Sequence, residues 1–306
     1  MEKSYDIVII GGGPAGLTAS LYGLRNGKKT LVIEKSVFGG QIVNSPKVEN
    51  IPGFNSISGD EFGDLMLNQV MNQGGDVAFD TVTKVESDGR TAKVTLELDG
   101  EVEAKTLIIA TGTKHRVLGL ENEENLIGKN IHFCAVCDGN FYKDKNVVMI
   151  GGGNSAFVEA NLLADIVSKL VMLQDLPVFT AEAKLQEQLL SRENVETHVS
   201  TKILGYVVEN GEFKGVRYLE KGEEKTVLCD GVFLAVGLVP DNGIYAELAD
   251  LDDRGYFKTD ESLTTKTPNV FVAGDCRAKT LRQVATACSD GANAAMNAIS
   301  FLRNLN

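Results

Sequence analysis

The chain has 306 residues, 43% hydrophobic and 24% charged, with a formal net charge of −12. The length points to two domains, and the composition excludes disordered and fibrous classes. The acidic balance repels nucleic acid and anionic lipid at long range, so neither is an expected partner.

Met1 to Asp6 lead straight into the apolar run Ile7 to Ile10, with no basic leader or cleavage site, and no later segment has the apolar length of a membrane span. The expected location is the cytoplasm. A strand over Tyr5–Ile10 leads into Gly11-Gly12-Gly13-Pro14-Ala15-Gly16, a helix to Asn26 and a strand over Thr30–Glu34. Between Asp76 and Lys105, apolar and polar residues alternate around Asp88-Gly89 and Asp99-Gly100, the mark of antiparallel hairpins. A buried strand over Thr106–Ala110 follows, ending at Thr111-Gly112.

The opening pattern then returns. Asn146–Ile150 is a strand, Gly151-Gly152-Gly153-Asn154-Ser155-Ala156 a second glycine turn, Ala156–Ile166 a helix and Lys169–Leu173 a strand. Val195–Asp230 reads as further hairpins, and Gly231–Val236 as a strand ending at Gly237. After Pro240 come a strand over Asn269–Ala273, Gly274-Asp275, and a helix of small residues over Leu281–Leu302. Two such units define an α/β protein with two dinucleotide-binding, Rossmann-like domains of three-layer ββα build. The first is expected to be discontinuous, over 1–115 and 245–306, with a central domain over 116–244.

Gly11, Gly13 and Gly16 match G-x-G-x-x-G in its required setting, between strand and helix, where a pyrophosphate can approach the helix N-terminus. Glu34, at the end of the next strand, is placed to hold a ribose hydroxyl. Cys134 and Cys137 form the one closely spaced pair among five cysteines. Such a pair is half a metal site, a structural pair or a redox pair. No second pair at metal spacing exists and His115, His132 and His198 are scattered, so no metal is expected. The two-residue spacing lets one thiolate attack while the other resolves a mixed disulfide. Asp138 follows the pair immediately, and its bland reading is a turn residue before Gly139. His132 reads as structural, and Cys229, Cys276 and Cys288 as isolated packing thiols.

Gly39-Gly40-Gln41, Val48-Glu49-Asn50-Ile51-Pro52-Gly53, Ala110-Thr111-Gly112, Cys134-Ala135-Val136-Cys137-Asp138-Gly139 and Val272-Ala273-Gly274-Asp275 with Leu281-Arg282-Gln283-Val284 together resemble the low-molecular-weight thioredoxin reductases. The resemblance runs through essentially the whole chain, in the family's order. It implies a homodimeric disulfide oxidoreductase acting on thioredoxin, with FAD as cofactor. It implies FAD contacts at Gly11, Gly13, Pro14, Ala15, Gly16, Glu34, Gly40, Gln41, Asn50, Ala110, Thr111, Gly112, Gly274 and Asp275, with Arg282, Gln283 and Val284 beside the flavin. It further implies that Cys137 faces the flavin, that Cys134 attacks the partner, and that Asp138 serves the pair as acid and base.

One stretch departs from the pattern. Where NADPH-dependent members carry His-Arg-Arg-x-x-x-Arg, this chain reads Asp175-Leu176-Pro177-Val178-Phe179-Thr180-Ala181. Losing two charge-assisted hydrogen bonds to a 2′-phosphate weakens NADPH by roughly 3 to 6 kcal/mol, about two to four decades. Either the second pocket is vestigial, or Asp175 holds the free ribose hydroxyl of NADH. The vestigial reading resembles the ferredoxin-dependent flavin thioredoxin reductases. A ferredoxin near about −400 mV against thioredoxin near about −270 mV supplies roughly 6 kcal/mol per electron pair. Ferredoxin is therefore the expected donor, NADH the alternative and NADPH the less favoured one. A dithiol oxidase is a further alternative, disfavoured because such relatives tend to place histidine after the pair where this chain has Asp138. A flavin-bound redox sensor is a nonenzymatic one.

Overall fold

A computed structural model describes residues 3–45 and 48–305. Met1 and Glu2, the start of the run read as leaderless, lie outside the described residues. The chain divides into two units: everything up to Lys114 together with everything from Val239 onward, and His115–Leu238 between them. The sequence-based boundary at 244/245 thus compares with 238/239 here. The difference follows from Asn242, whose side chain bonds Thr111, Gly255 and Cys276, all in the first unit.

The first unit begins with β1 (Ser4–Ile10), α1 (Pro14–Arg25), β2 (Thr30–Glu34), α2 (Gly59–Asn72), β3 (Asp76–Phe79), β4 (Val82–Ser87), β5 (Ala92–Leu96) and β6 (Glu101–Ile109), and β7 (Lys114–His115) falls on the boundary. The apolar strand β1 pairs in parallel with β2 on one edge and β6 on the other, and its faces are buried in two cores, Val8 and Ile10 in one and Ile7 and Ile9 in the other. The Asp76–Lys105 region is only partly hairpin. β3 lies parallel to β2, and only β4, β5 and β6 pair antiparallel. Thr106–Ala110 is not a separate strand, since β6 runs unbroken from Glu101, pairing its first half with β5.

The second unit contains α3 (Glu123–Leu126), β8 (Ile131–His132), α4 (Ala135–Asp138), β9 (Asn146–Ile150), α5 (Asn154–Ala164), β10 (Lys169–Leu173), α6 (Ala183–Leu190), β11 (Val195–His198), β12 (Thr201–Glu209), β13 (Glu212–Glu220), β14 (Glu223–Leu228) and β15 (Gly231–Leu234), and β16 (Leu238–Val239) falls on the second boundary. Five parallel strands run in the order β11-β10-β9-β15-β8, and β12-β13-β14 form a separate antiparallel sheet. Val148, Ile150, Val171 and Leu173 from the parallel sheet share one core with Tyr206, Val216 and Tyr218 from the antiparallel one. The opposite face packs on Phe157, Ala160 and Leu163 of α5. That makes three layers.

The chain returns to the first unit with β17 (Val270–Val272), which takes the remaining edge of β6, and α7 (Val284–Asn304). α7 starts three residues later than the small-residue pattern indicated because Gln283 is its N-cap, in a reciprocal capping box with Thr286. A Cβ on Gly291 would lie 2.1 Å from the carbonyl oxygen of Ala15, so only glycine allows α7 its approach to α1.

Candidate active site and cofactor cradle

In the first unit, the Gly11 N–H donates to the Ile33 carbonyl at 2.8 Å, and φ of Gly11 is 109°. A Cβ there would meet the Ala110 carbonyl oxygen at 2.2 Å, and one on Gly16 would meet the Gly11 carbonyl oxygen at 1.9 Å. The turn is therefore closed to any side chain at both positions, while Pro14 opens α1 and leaves the preceding amides without a helical partner. Glu34 steadies this turn. Its two oxygens accept from the N–H groups of Gly12 at 2.7 Å and Ser36 at 2.8 Å, and a carboxylate retains lone pairs for a ribose hydroxyl.

All the other residues expected around FAD lie in this unit as well. Gly40 stands beside Gly13, and Gln41 donates to the Thr113 carbonyl at 3.5 Å. Asn50 donates to the Gln283 side chain at 2.9 Å, and Thr111 to Asn242 at 3.1 Å. Arg282 stacks 4.2 Å over the Tyr256 ring and donates to the carbonyls of Asp275 and Arg277. Asp275 supplies a direct test of fit. Its Oδ1 is buried without a hydrogen-bond partner, an arrangement that a ligand hydroxyl completes. Burial raises its pKa, with Lys279 and Arg282 opposing.

Three contributors escaped sequence reasoning. Asn242 sits in a Pro-Asp-Asn-Gly run with no motif of its own, yet its amide ties three segments together. Arg277 and Lys279 both bond the buried Asp290, which also accepts the Gly274 N–H at 3.0 Å. No local pattern pairs residues a helix apart.

In the second unit, Cys134 and Cys137 form a disulfide with Cα atoms 5.3 Å apart. Cys134 is buried and caps α4, and the Cys137 N–H donates to its Sγ at 3.1 Å. The Glu159 carboxylate accepts the Ala135 N–H. Its pKa is pushed up to about 7, chiefly by burial and further by the charge of Asp138, against the opposing Ala135 hydrogen bond. Asp138 Oδ2 lies 3.1 Å from Nδ1 of His132, which is therefore joined to the site and not merely packed beneath it. Burial pushes Cys276 up to about 11 and Cys229 up to about 12, which leaves both as unreactive thiols at neutral pH. Cys288 is half-buried. Among the described residues no cluster of three metal-ligating side chains forms.

The second glycine turn is as well formed as the first. Gly151 donates to Leu173 as Gly11 does to Ile33, and the Thr180 N–H reaches the Gly152 carbonyl at 2.8 Å as Gly39 does Gly12. The side chains differ. Registration of the two turns places Gln174 where the first unit has Glu34, so Asp175 is one residue past the ribose position and exposed. The amide of Gln174 donates to the Val178 carbonyl. Asn154, the first residue of α5, exchanges hydrogen bonds with Glu182 at 3.0 and 2.8 Å, which sets a carboxylate at the helix start where phosphates are ordinarily held.

With this geometry, residues 5–291 match the family model described as pyridine nucleotide-disulphide oxidoreductase, and the chain belongs to that family. It is an oxidoreductase of the thioredoxin reductase type, with FAD as cofactor. It is 39% identical to the thioredoxin reductase of Listeria monocytogenes, over 99% of this chain and 96% of that protein. The crystal structure of Lactococcus lactis thioredoxin reductase superposes with a TM-score of 0.93 at 35% identity, covering 98% and 99% of the two chains. That of T. acidophilum thioredoxin reductase gives 0.91 at 32%, covering both chains completely. No helix among the described residues is long and apolar enough to cross a membrane.

Proposed function

We propose that this enzyme reduces the disulfide of thioredoxin through Cys134 and Cys137, taking electrons from reduced ferredoxin. The chemistry that FAD supplies when bound is storage and transfer of an electron pair. Gly11, Gly13, Gly16, Glu34, Gln41, Asn50 and Asp275 would hold it. Two reduced ferredoxins and two protons convert one thioredoxin disulfide to a dithiol, with two ferredoxins oxidised. In the thiol exchange, the Cys134 thiolate attacks one partner sulfur, breaking the partner's disulfide and releasing its other sulfur as a thiolate. Cys137, giving its proton to Asp138, then attacks Cys134, reforming the enzyme disulfide and freeing the second partner thiol. Asp138 returns that proton to a released thiolate, and solvent protonates the other. Cys134 is only 8% exposed, so exchange with a macromolecule requires it to be uncovered first. A cytoplasmic homodimer is the form in which we expect this chemistry.

The single observation that carries the donor assignment is the start of α5. Neutral Gln174 stands in the ribose position, Glu182 at the helix N-terminus, and no Lys or Arg occurs from Gln174 to Glu182. Against NADH use, Asp175, the residue on which it rested, lies one position beyond the counterpart of Glu34. The intact second glycine turn and the family's description keep a pyridine nucleotide as the second reading. Anaerobic mixing of the yellow enzyme with reduced ferredoxin, NADH and NADPH in turn, before adding thioredoxin, separates them. Bleaching by ferredoxin alone, reversed by thioredoxin, is the expected result, and rapid bleaching by either nucleotide overturns the assignment.

A further inference from the structure

Beside the dithiol lies a histidine that the exchange chemistry above does not use. His132 is 6% exposed, flanked by Phe233 at 5.5 Å between ring centroids, yet both its nitrogens are engaged. Nδ1 stands 3.1 Å from Asp138 Oδ2, and Nε2 stands 2.8 Å from the Tyr142 hydroxyl and 3.3 Å from the Lys129 carbonyl. The Tyr142 hydroxyl is itself 3.2 Å from that carbonyl.

We propose that His132 is a positioning residue for Asp138: it presents an N–H to the carboxylate that serves the dithiol, and Tyr142 fixes the ring in the tautomer that does so. The inference rests on the reading of Asp138 as the acid and base of the exchange. In the neutral ring, Nδ1–H donates to Asp138 while Nε2 accepts the Tyr142 O–H. When the ring is protonated, Nε2–H donates to the Tyr142 oxygen or to the Lys129 carbonyl, and the tyrosine hydroxyl turns to that carbonyl. Neither arrangement leaves a buried polar atom without a partner, and both present an N–H toward Asp138. Tyr142 stays protonated throughout, because burial first, and then the negative charges of Asp138 and Asp230, push it up to about 12. The other charges facing the group are Lys145, 5.6 Å over the Tyr142 ring, and Glu159, which shares the field of Asp138. A hydrogen-bond donor favours the charged form of a carboxylate, the form that can act as a base.

The test needs neither ferredoxin nor a pyridine nucleotide. Full-length flavoenzyme is reduced with dithiothreitol and desalted anaerobically. Its reaction with a chromogenic aryl disulfide is then followed by stopped flow from about pH 5 to about pH 9, spanning the ordinary carboxylate-to-thiol range. His132→Ala is expected to move the acid limb of the rate profile upward by about one pH unit and to slow exchange about tenfold near its foot. His132→Asn, whose amide N–H replaces Nδ1–H, is expected to restore the limb. A rate loss with an unmoved limb, or an Asn variant no better than Ala, overturns the inference, because packing alone accounts for both. If His132→Ala does not fold, Tyr142→Phe serves: it unlocks the tautomer while preserving the ring, and an unmoved limb again overturns the proposal. Asp138→Asn measured alongside separates the two levels. Full exchange in that variant removes the role of Asp138 itself, whereas a slow Asp138→Asn with a normal His132→Ala removes only the role of His132.

Discussion

The carboxylate of Glu159 accepts the backbone N–H of Ala135, the residue that follows Cys134, and so ties α5 to the first turn of the dithiol helix. Burial holds this carboxyl near a pKa of about 7 against the ordinary 4.5. The native state therefore binds more protons than the unfolded chain between those values, and stability falls as pH rises from about 4.5 to about 7 and is flat above. Glu159→Gln keeps an acceptor for Ala135 without the charge. It is expected to raise Tm at pH 8 and to leave it nearly unchanged at pH 4.5, the gain at pH 8 being at most about 3 kcal/mol. Calorimetry of the FAD-loaded enzyme at the two pH values checks this, and an equal shift at both would contradict it.

Asp275 contributes a buried oxygen with no protein partner. Asp275→Asn removes a charged acceptor worth about 1.5 to 3 kcal/mol, so FAD should bind roughly one to two decades more weakly. The ratio of flavin to protein absorbance after gel filtration reports the loss. A variant that retains full flavin would show that this oxygen does not face the cofactor.

The two sulfurs should separate kinetically. Cys137→Ser leaves the Cys134 thiol without its resolving partner, so a mixed disulfide with thioredoxin should accumulate and be visible by nonreducing electrophoresis. Cys134→Ser should give none. An adduct trapped by Cys134→Ser instead would reverse the assigned roles.

Charge at the second glycine turn should govern nucleotide affinity. Leu176→Arg, Pro177→Arg and Ala181→Arg together with Glu182→Gln supply cations and remove the carboxylate at the start of α5. NADPH binding, followed by fluorescence titration at fixed salt, should strengthen by about one to two decades. No gain would mean that backbone shape, rather than charge, closes this site.

Gly16→Ala places a methyl where the Gly11 carbonyl oxygen already stands, 1.9 Å from the Cβ position. The turn must shift, and the expected outcome is flavin-free protein with a lowered Tm. A yellow variant of ordinary stability would show that the turn yields more readily than its geometry indicates.

The two glycine turns, the strands leading into them and the dithiol spacing were determined by the sequence itself, because each depends on residues within a few positions of one another. Gly11 and Gly16 lack a side chain because neighbouring backbone occupies that space, and this constraint is written locally. Cys134 and Cys137 are joined by the geometry of a single turn. The family's missing arginines were legible for the same reason, as a gap in one short stretch. The step from Gly11 to Glu34 equals that from Gly151 to Gln174, so the place of Gln174, not Asp175, opposite Glu34 was written in the spacing, and the strand register agrees with it. The tertiary structure alone decided what depends on contacts across the chain. Packing brought Asn242 to Thr111, Glu159 to Ala135 and Tyr142 to His132, turning a scattered histidine into a neighbour of Asp138. Buried polar side chains find their partners through the fold, since burial penalises any that remain unpaired, and no one-dimensional pattern records which partner that is.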